Sequence, residues 1–220
     1  MSRPLWVDDI AAVLPTLTAS DISRFVPPAD FAGRESAVLI LFGEFQGTPD
    51  IVIIQRSKTL AQHPGQCAFP GGAIDASDED AVAAALREAQ EEIGLDISSV
   101  EIIGTLPRLW VPVSGFAVVP VVAWWKAPHE INVVDPAEVE RVVRISLADL
   151  TNPDNRVSVR HSSGYVGPAF LIDDLTIWGF TGGLLDNLLS ALGFAIAWDA
   201  TNIIELAQRD PIQDSSIDRS

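Results

Sequence analysis

Apolar residues along the chain fall into short runs of two spacings. Residues 36–44 (SAVLILFGE) form a continuous apolar run that reads as a buried strand, and 51–55 (IVIIQ) form a second. Between them, 47–50 (GTPD) supply turn chemistry, which predicts a hairpin. Residues 56–72 read as an extended loop ending in Phe69-Pro70-Gly71-Gly72. The clearest helix runs from about 79 to 93. Ser77 with Asp80 resembles a capping box, the alanines at 81 and 83–85 are strong helix formers, and Gly94 stands at the C′ position. Strands are expected at 100–106 and 116–125, joined by the irregular segment 107–115. Residues 136–150 carry a mixed helix and strand signal, and 177–193 place Leu184, Leu185, Leu188 and Leu189 at helical spacing. Near the start, Trp6, Ile10, Val13 and Leu14 make a short amphipathic stripe.

Strands and helices interleave without a linker-like stretch, so the fold class is α/β or α+β. Residues 1–35 read as an N-terminal extension packing on the core, 36–207 as the main domain, and 208–220 as a loose polar tail. The 220 residues suit one domain, and a 48% hydrophobic composition excludes a disordered or fibrous chain. Fourteen basic against thirty acidic residues leave a net charge of −16, which repels nucleic acid and argues against a nucleic-acid partner. The one cysteine, Cys67, permits no internal disulfide, so cytoplasm is the default. The longest apolar stretches, 116–125 and 188–198, fall short of the roughly 18 residues a spanning helix needs, so no membrane partner is expected. The tryptophans and apolar runs would serve a homodimer interface or a buried core equally well.

Chemistry concentrates in Arg87-Glu88-Ala89-Gln90-Glu91-Glu92. Glu88, Glu91 and Glu92 stand at i, i+3 and i+4 and share one helical face, where like charges repel. Either the face is solvated or a hard cation offsets it, and Mg²⁺ or Mn²⁺ suits carboxylate oxygens. Arg87, at i−4 from Glu91, is placed to orient that carboxylate. Upstream, Gly71-Gly72 would let backbone approach a bulky ligand or simply make a tight turn.

This segment resembles the Nudix box, G-x5-E-x7-R-E-U-x-E-E-x-G-U, where U is a bulky aliphatic. Seven residues separate Glu79 from Arg87, and Glu88, Glu91, Glu92, Gly94 and Leu95 fall into place. Ala73 stands at the first glycine unless Gly72 plays that part, and Ala89 replaces the aliphatic residue. Arg56-Ser57, Gly65 and Phe69-Pro70-Gly71-Gly72 further resemble the signature of coenzyme A pyrophosphatases within that superfamily. Ala61 stands where that signature has an arginine.

The resemblance implies a Nudix α/β/α sandwich with a mixed sheet and a loop-helix-loop box. It implies Mg²⁺- or Mn²⁺-dependent hydrolysis of a nucleoside diphosphate derivative. For the subgroup, the substrate would be coenzyme A or its derivatives, giving 3′,5′-ADP and 4′-phosphopantetheine. Glu88 and Glu92 are the expected metal ligands, with Glu91 a further ligand or the base and Arg87 completing the catalytic set. Glu79 would join this network or pair with Arg87. Arg56, Ser57, His63, Gly71 and Gly72 are the expected substrate contacts, and Glu138 and Glu140 are candidate bases outside the box. Other specificities (ADP-ribose, NADH, nucleotide sugars) and a catalytically silent nucleotide-binding module are the competing readings. Cys67 reads as a packed thiol, Trp124, Trp125 and Trp178 as core or interface, and Asp173-Asp174 as a turn. Trp110, in the irregular segment, is the best-placed aromatic for a base.

Overall fold

The computed structural model describes residues 3–28, 31, 33–112 and 114–206; the expected tail at 208–220 lies outside the described residues. Helices α1 (Leu5–Val13) and α2 (Ala19–Ile22) precede strands β1 (Glu35–Phe45), β2 (Thr48–Arg56), β3 (Cys67–Ala68) and β4 (Gly71–Ala73). Helix α3 (Ala81–Ile93) follows, then β5 (Val100–Thr105), β6 (Leu109–Val111), β7 (Phe116–Trp125), β8 (Val139–Ser146) and α4 (Leu147–Thr151). The chain continues through β9 (Arg156–Arg160), β10 (Val166–Ile172), β11 (Leu175–Ile177), α5 (Gly179–Ala191) and β12 (Ile203–Glu205).

The principal sheet is mixed. Its backbone order is β3-β2-β1-β7-β5, with β4 on β1, β6 on β7 and β8 on β2. Strands β1 and β7 run parallel, and the other pairings in this sheet are antiparallel. The apolar run in β1 is continuous because both faces are covered. Ala37, Leu39 and Leu41 join Val52, Ile54, Val121, Ala123 and Trp125 under the alanine-rich face of α3. Ile40 and Phe42 join Ile51, Ile53 and Val122 on the opposite face, against α1, α2 and the α5 leucines. The result is the expected α/β/α sandwich. The N-terminal stripe packs on this second face: Ile10 and Leu14 are buried and Trp6 tilts against Phe42 at 6.2 Å.

A smaller sheet, β11-β10-β9-β12, packs Phe170, Ile172, Leu175 and Ile177 into the same core as α5. Its strands are short and broken by turns, so no single long apolar run announces it in the sequence. Among the described residues no helix is long and apolar enough to cross a membrane.

Two local expectations are corrected. The hairpin turns at Gln46-Gly47, both at positive φ (52° and 81°), and Thr48–Asp50 already belong to β2. Pro49 is accommodated because pairing with β8 starts only at Asp50. Asp50 itself is buried and accepts two hydrogen bonds from Arg144 (2.7 and 3.0 Å). Second, α3 begins at Ala81, not 79. Asp80 is its N-cap, accepting from the Ala83 N–H at 2.8 Å, so Ser77 plays no capping part. Gly94 ends the helix at φ 67° as expected.

Candidate active site

Helix α3 lies across β4, and this contact builds the site. Glu92, one turn beyond Glu88, is only 2% exposed. Its Oε2 accepts the Gly71 N–H at 2.9 Å, while its buried Oε1 has no hydrogen-bond partner among the described residues. Burial pushes the Glu92 carboxyl up to about 8; the Gly71 hydrogen bond and the charge of Arg56 oppose this, and repulsion from Glu88 and Glu138 adds to it. Glu88 is raised as well, chiefly by burial, with Arg87 opposing.

The two glycines have separate reasons. Gly71 sits at φ 154°, and a Cβ there would meet the Ala37 carbonyl oxygen at 2.3 Å. Gly72 faces the Glu88 carboxylate, where a Cβ would lie 2.4 Å from Oε1. Ala73 ends β4, and its carbonyl accepts from Arg87 at 3.1 Å.

Arg87 is the hub of the network. Its Nη1 donates to Glu88 Oε1 and to Glu91 Oε2, both at 3.0 Å. Its Nε and Nη2 donate to Asp78 at 3.0 and 2.9 Å in a two-pronged pair. The Asp78 carboxyl is held below its usual range by these bonds, and Arg87 is held firmly protonated by the same partner. Sequence reasoning missed Asp78. The box spacing pointed to Glu79, which is exposed and has no ion pair with Arg87. The available signal was the alternative glycine: counting from Gly72, the G-x5-E spacing lands on Asp78.

The acidic ridge divides. Glu88 and Glu92 turn inward, whereas Glu91 is 59% exposed and lies against Arg87. Among the described residues no three histidine, cysteine or acidic side chains are gathered as ready-made metal ligands. A cation nevertheless fits the donor set. Glu92 offers an unused buried oxygen, and the mutual repulsion of Glu88, Glu92 and Glu138 is the kind of charge imbalance a divalent ion relieves.

The loop before β3 supplies the remaining candidates. Arg56 carries a buried Nε without a hydrogen-bond partner among the described residues, and its charge acts on Glu92. Ser57 is buried. Its N–H donates to the Glu138 carbonyl at 2.7 Å and its hydroxyl pairs with Thr59 at 2.8 Å, so it orders the turn. His63 sits at φ 56° with Nδ1 3.1 Å from Gln66 Oε1, closing the loop on itself. The two outside acids separate: Glu138 acts on Glu88 and Glu92, while Glu140 pairs with Lys58. Cys67 and Trp125 are core residues, and Asp174 pairs with Arg141 at 2.8 Å. Trp110 is partly occupied by Phe31, edge-on at 5.0 Å.

A NUDIX domain family model matches residues 33–163, and with this fold and site the chain belongs to the Nudix hydrolase family, whose members hydrolyse pyrophosphate linkages with divalent cations. It is 49% identical over 165 residues to the uncharacterized Nudix hydrolase NudL of Escherichia coli K12, covering 73% of this chain and 83% of that protein. NudL of Citrobacter koseri is 52% identical over 89 residues, which span 40% of this chain and 45% of that protein. Among solved structures, the Nudix hydrolase RenU of M. smegmatis shares the fold, with a TM-score of 0.53 at 18% identity over 75% of this chain and 89% of that one.

Proposed function

We propose that this chain hydrolyses the diphosphate linkage of coenzyme A or its derivatives, releasing 3′,5′-ADP and 4′-phosphopantetheine, with Mg²⁺ or Mn²⁺. The observation that carries the metal-dependent part of this reading is the Oε1 of Glu92, buried beside Glu88 under Gly71-Gly72 and unpartnered among the described residues. Glu88 and Glu92 would hold the ion, with Glu91 completing the set or accepting the proton of the attacking water. When bound, the ion neutralises phosphate charge and lowers the pKa of water. Arg87 fixes Glu88 and Glu91 through Nη1, and Asp78 fixes Arg87 through the pair at Nε and Nη2. Arg56, with no ion pair among the described residues, supplies a cation for a phosphate oxygen on an otherwise acidic protein.

The coenzyme A reading rests on Arg56-Ser57, Gly65 and Phe69-Pro70-Gly71-Gly72. Ala61, in place of the signature arginine, favours a different nucleoside diphosphate derivative as the second reading. The test is hydrolysis of coenzyme A, acetyl-coenzyme A, ADP-ribose and NADH with product identification, each with Mg²⁺, with Mn²⁺ and with chelator. Release of 3′,5′-ADP, lost on chelation, is expected. Cleavage of another diphosphate with coenzyme A intact would transfer the assignment to that substrate, and inactivity toward all would leave the silent module.

A further inference from the structure

Strand β8 holds the loop at 57–66 at several points. Pairing with β2 shifts register between Gln55 and Arg56, where Gln55 faces Arg141 and Arg56 faces Val139. The extra residue, Glu140, is left to pair with Lys58, and the Glu138 carbonyl accepts from Ser57 N–H. At the centre, Arg141 Nε donates to Gln55 Oε1 at 2.8 Å, and Gln55 Nε2 donates to the Gly65 carbonyl at 3.1 Å. Arg141 also donates to Asp174 at 2.8 Å, in the β10–β11 turn.

The chemistry of these groups gives the chain a direction. A guanidinium has donors and no acceptor, so Gln55 must turn its oxygen to Arg141 and therefore its NH₂ to Gly65. Without Arg141 the Gln55 oxygen loses this donor, and the amide is tied only through its NH₂ at Gly65. The Arg141–Asp174 pair contributes little by itself, because its side chains are 35% and 73% exposed. The loop being fixed begins one residue after Arg56 and ends one residue before Cys67, the chain's only thiol.

We propose that Arg141, acting through Gln55, is a positioning residue that sets the conformation of the 57–66 loop and with it the affinity for the diphosphate substrate. This rests on the reading that Arg56 and the loop contact substrate. The test compares Arg141→Ala, Arg141→Lys, Gln55→Glu and Asp174→Asn in the full chain. In Arg141→Ala and Gln55→Glu, KM should rise about tenfold with kcat within about twofold. Arg141→Lys, which keeps a donor, should recover most of the loss, and Asp174→Asn should match the parent. Independently of activity, amide exchange across 57–66 and thiol labelling of Cys67 should accelerate in the first two variants, with exchange in α3 unchanged. Unchanged exchange, labelling and KM in Arg141→Ala overturn the proposal, as does a parallel loss in kcat and melting temperature that lysine fails to rescue. If the parent cleaves a diphosphate other than coenzyme A, only the substrate reading fails, and the KM ratio measured on that compound still decides.

Discussion

The carboxylate of Glu88 fills the space that a side chain on residue 72 would need: a Cβ at Gly72 would come within 2.7 Å of three of its atoms. Strand β4 and helix α3 are thereby matched to one another at the one point where the chemistry is gathered.

Gly72→Ala should therefore damage activity more than folding. The clashing atoms are the end of a side chain and can swing aside, but Glu88 then leaves its place beside Glu92. Turnover should fall about a hundredfold with only a small change in melting temperature. Gly71→Ala should do the reverse, because its Cβ meets backbone at Ala37 and Val38 and its φ is 154°. Thermal unfolding should register that variant as strongly destabilised. Paired melts and rate measurements check both; equal damage in the two would contradict the distinction.

Asp78 and Glu79 can be told apart by charge removal. Asp78→Asn breaks the two-pronged bond to Arg87 and should lower kcat by about tenfold or more, since Arg87 then loses its fixed orientation toward Glu88 and Glu91. Glu79→Gln should be silent. Steady-state kinetics on the two purified variants decide, and a larger effect at Glu79 would return the role to the residue the box spacing indicates.

Glu92→Gln should be inactive yet more stable when metal is removed. In the chelated protein the Glu92 carboxyl lies at about 8 against an ordinary 4.5, so the native state binds its proton more tightly than the unfolded chain. Stability should then decline as pH rises from about 4.5 through 8, and the glutamine variant should lack that decline. Its melting temperature at pH 8 in chelator should exceed the parent's by about 4 °C or more. Parallel pH profiles in both proteins would remove Glu92 as their source.

Cys67 should behave as an inert thiol. Burial pushes it up to about 11, so at pH 8 roughly a thousandth is ionised. Labelling by iodoacetamide should be slow in the native protein and fast in denaturant, as mass spectrometry would show.

The sequence by itself determined the parts whose information is local. The apolar runs of β1, β2 and β7 mark strands because a strand covered on both faces needs no polar alternation. Alanines followed by Gly94 mark α3, and the i, i+4 spacing of Glu88 and Glu92 puts both on one face of it. Tertiary structure decided what depends on residues meeting across the chain. Only the packing of α3 on β4 buries Glu92 and leaves Glu91 outside; only the path of 73–80 chooses Asp78 over Glu79 for Arg87. The second sheet, built from short strands, likewise becomes visible only through its pairings. Helical periodicity fixes which side chains share a face, but the depth at which that face is buried, and hence the work its charges do, is set by the strand it lands on.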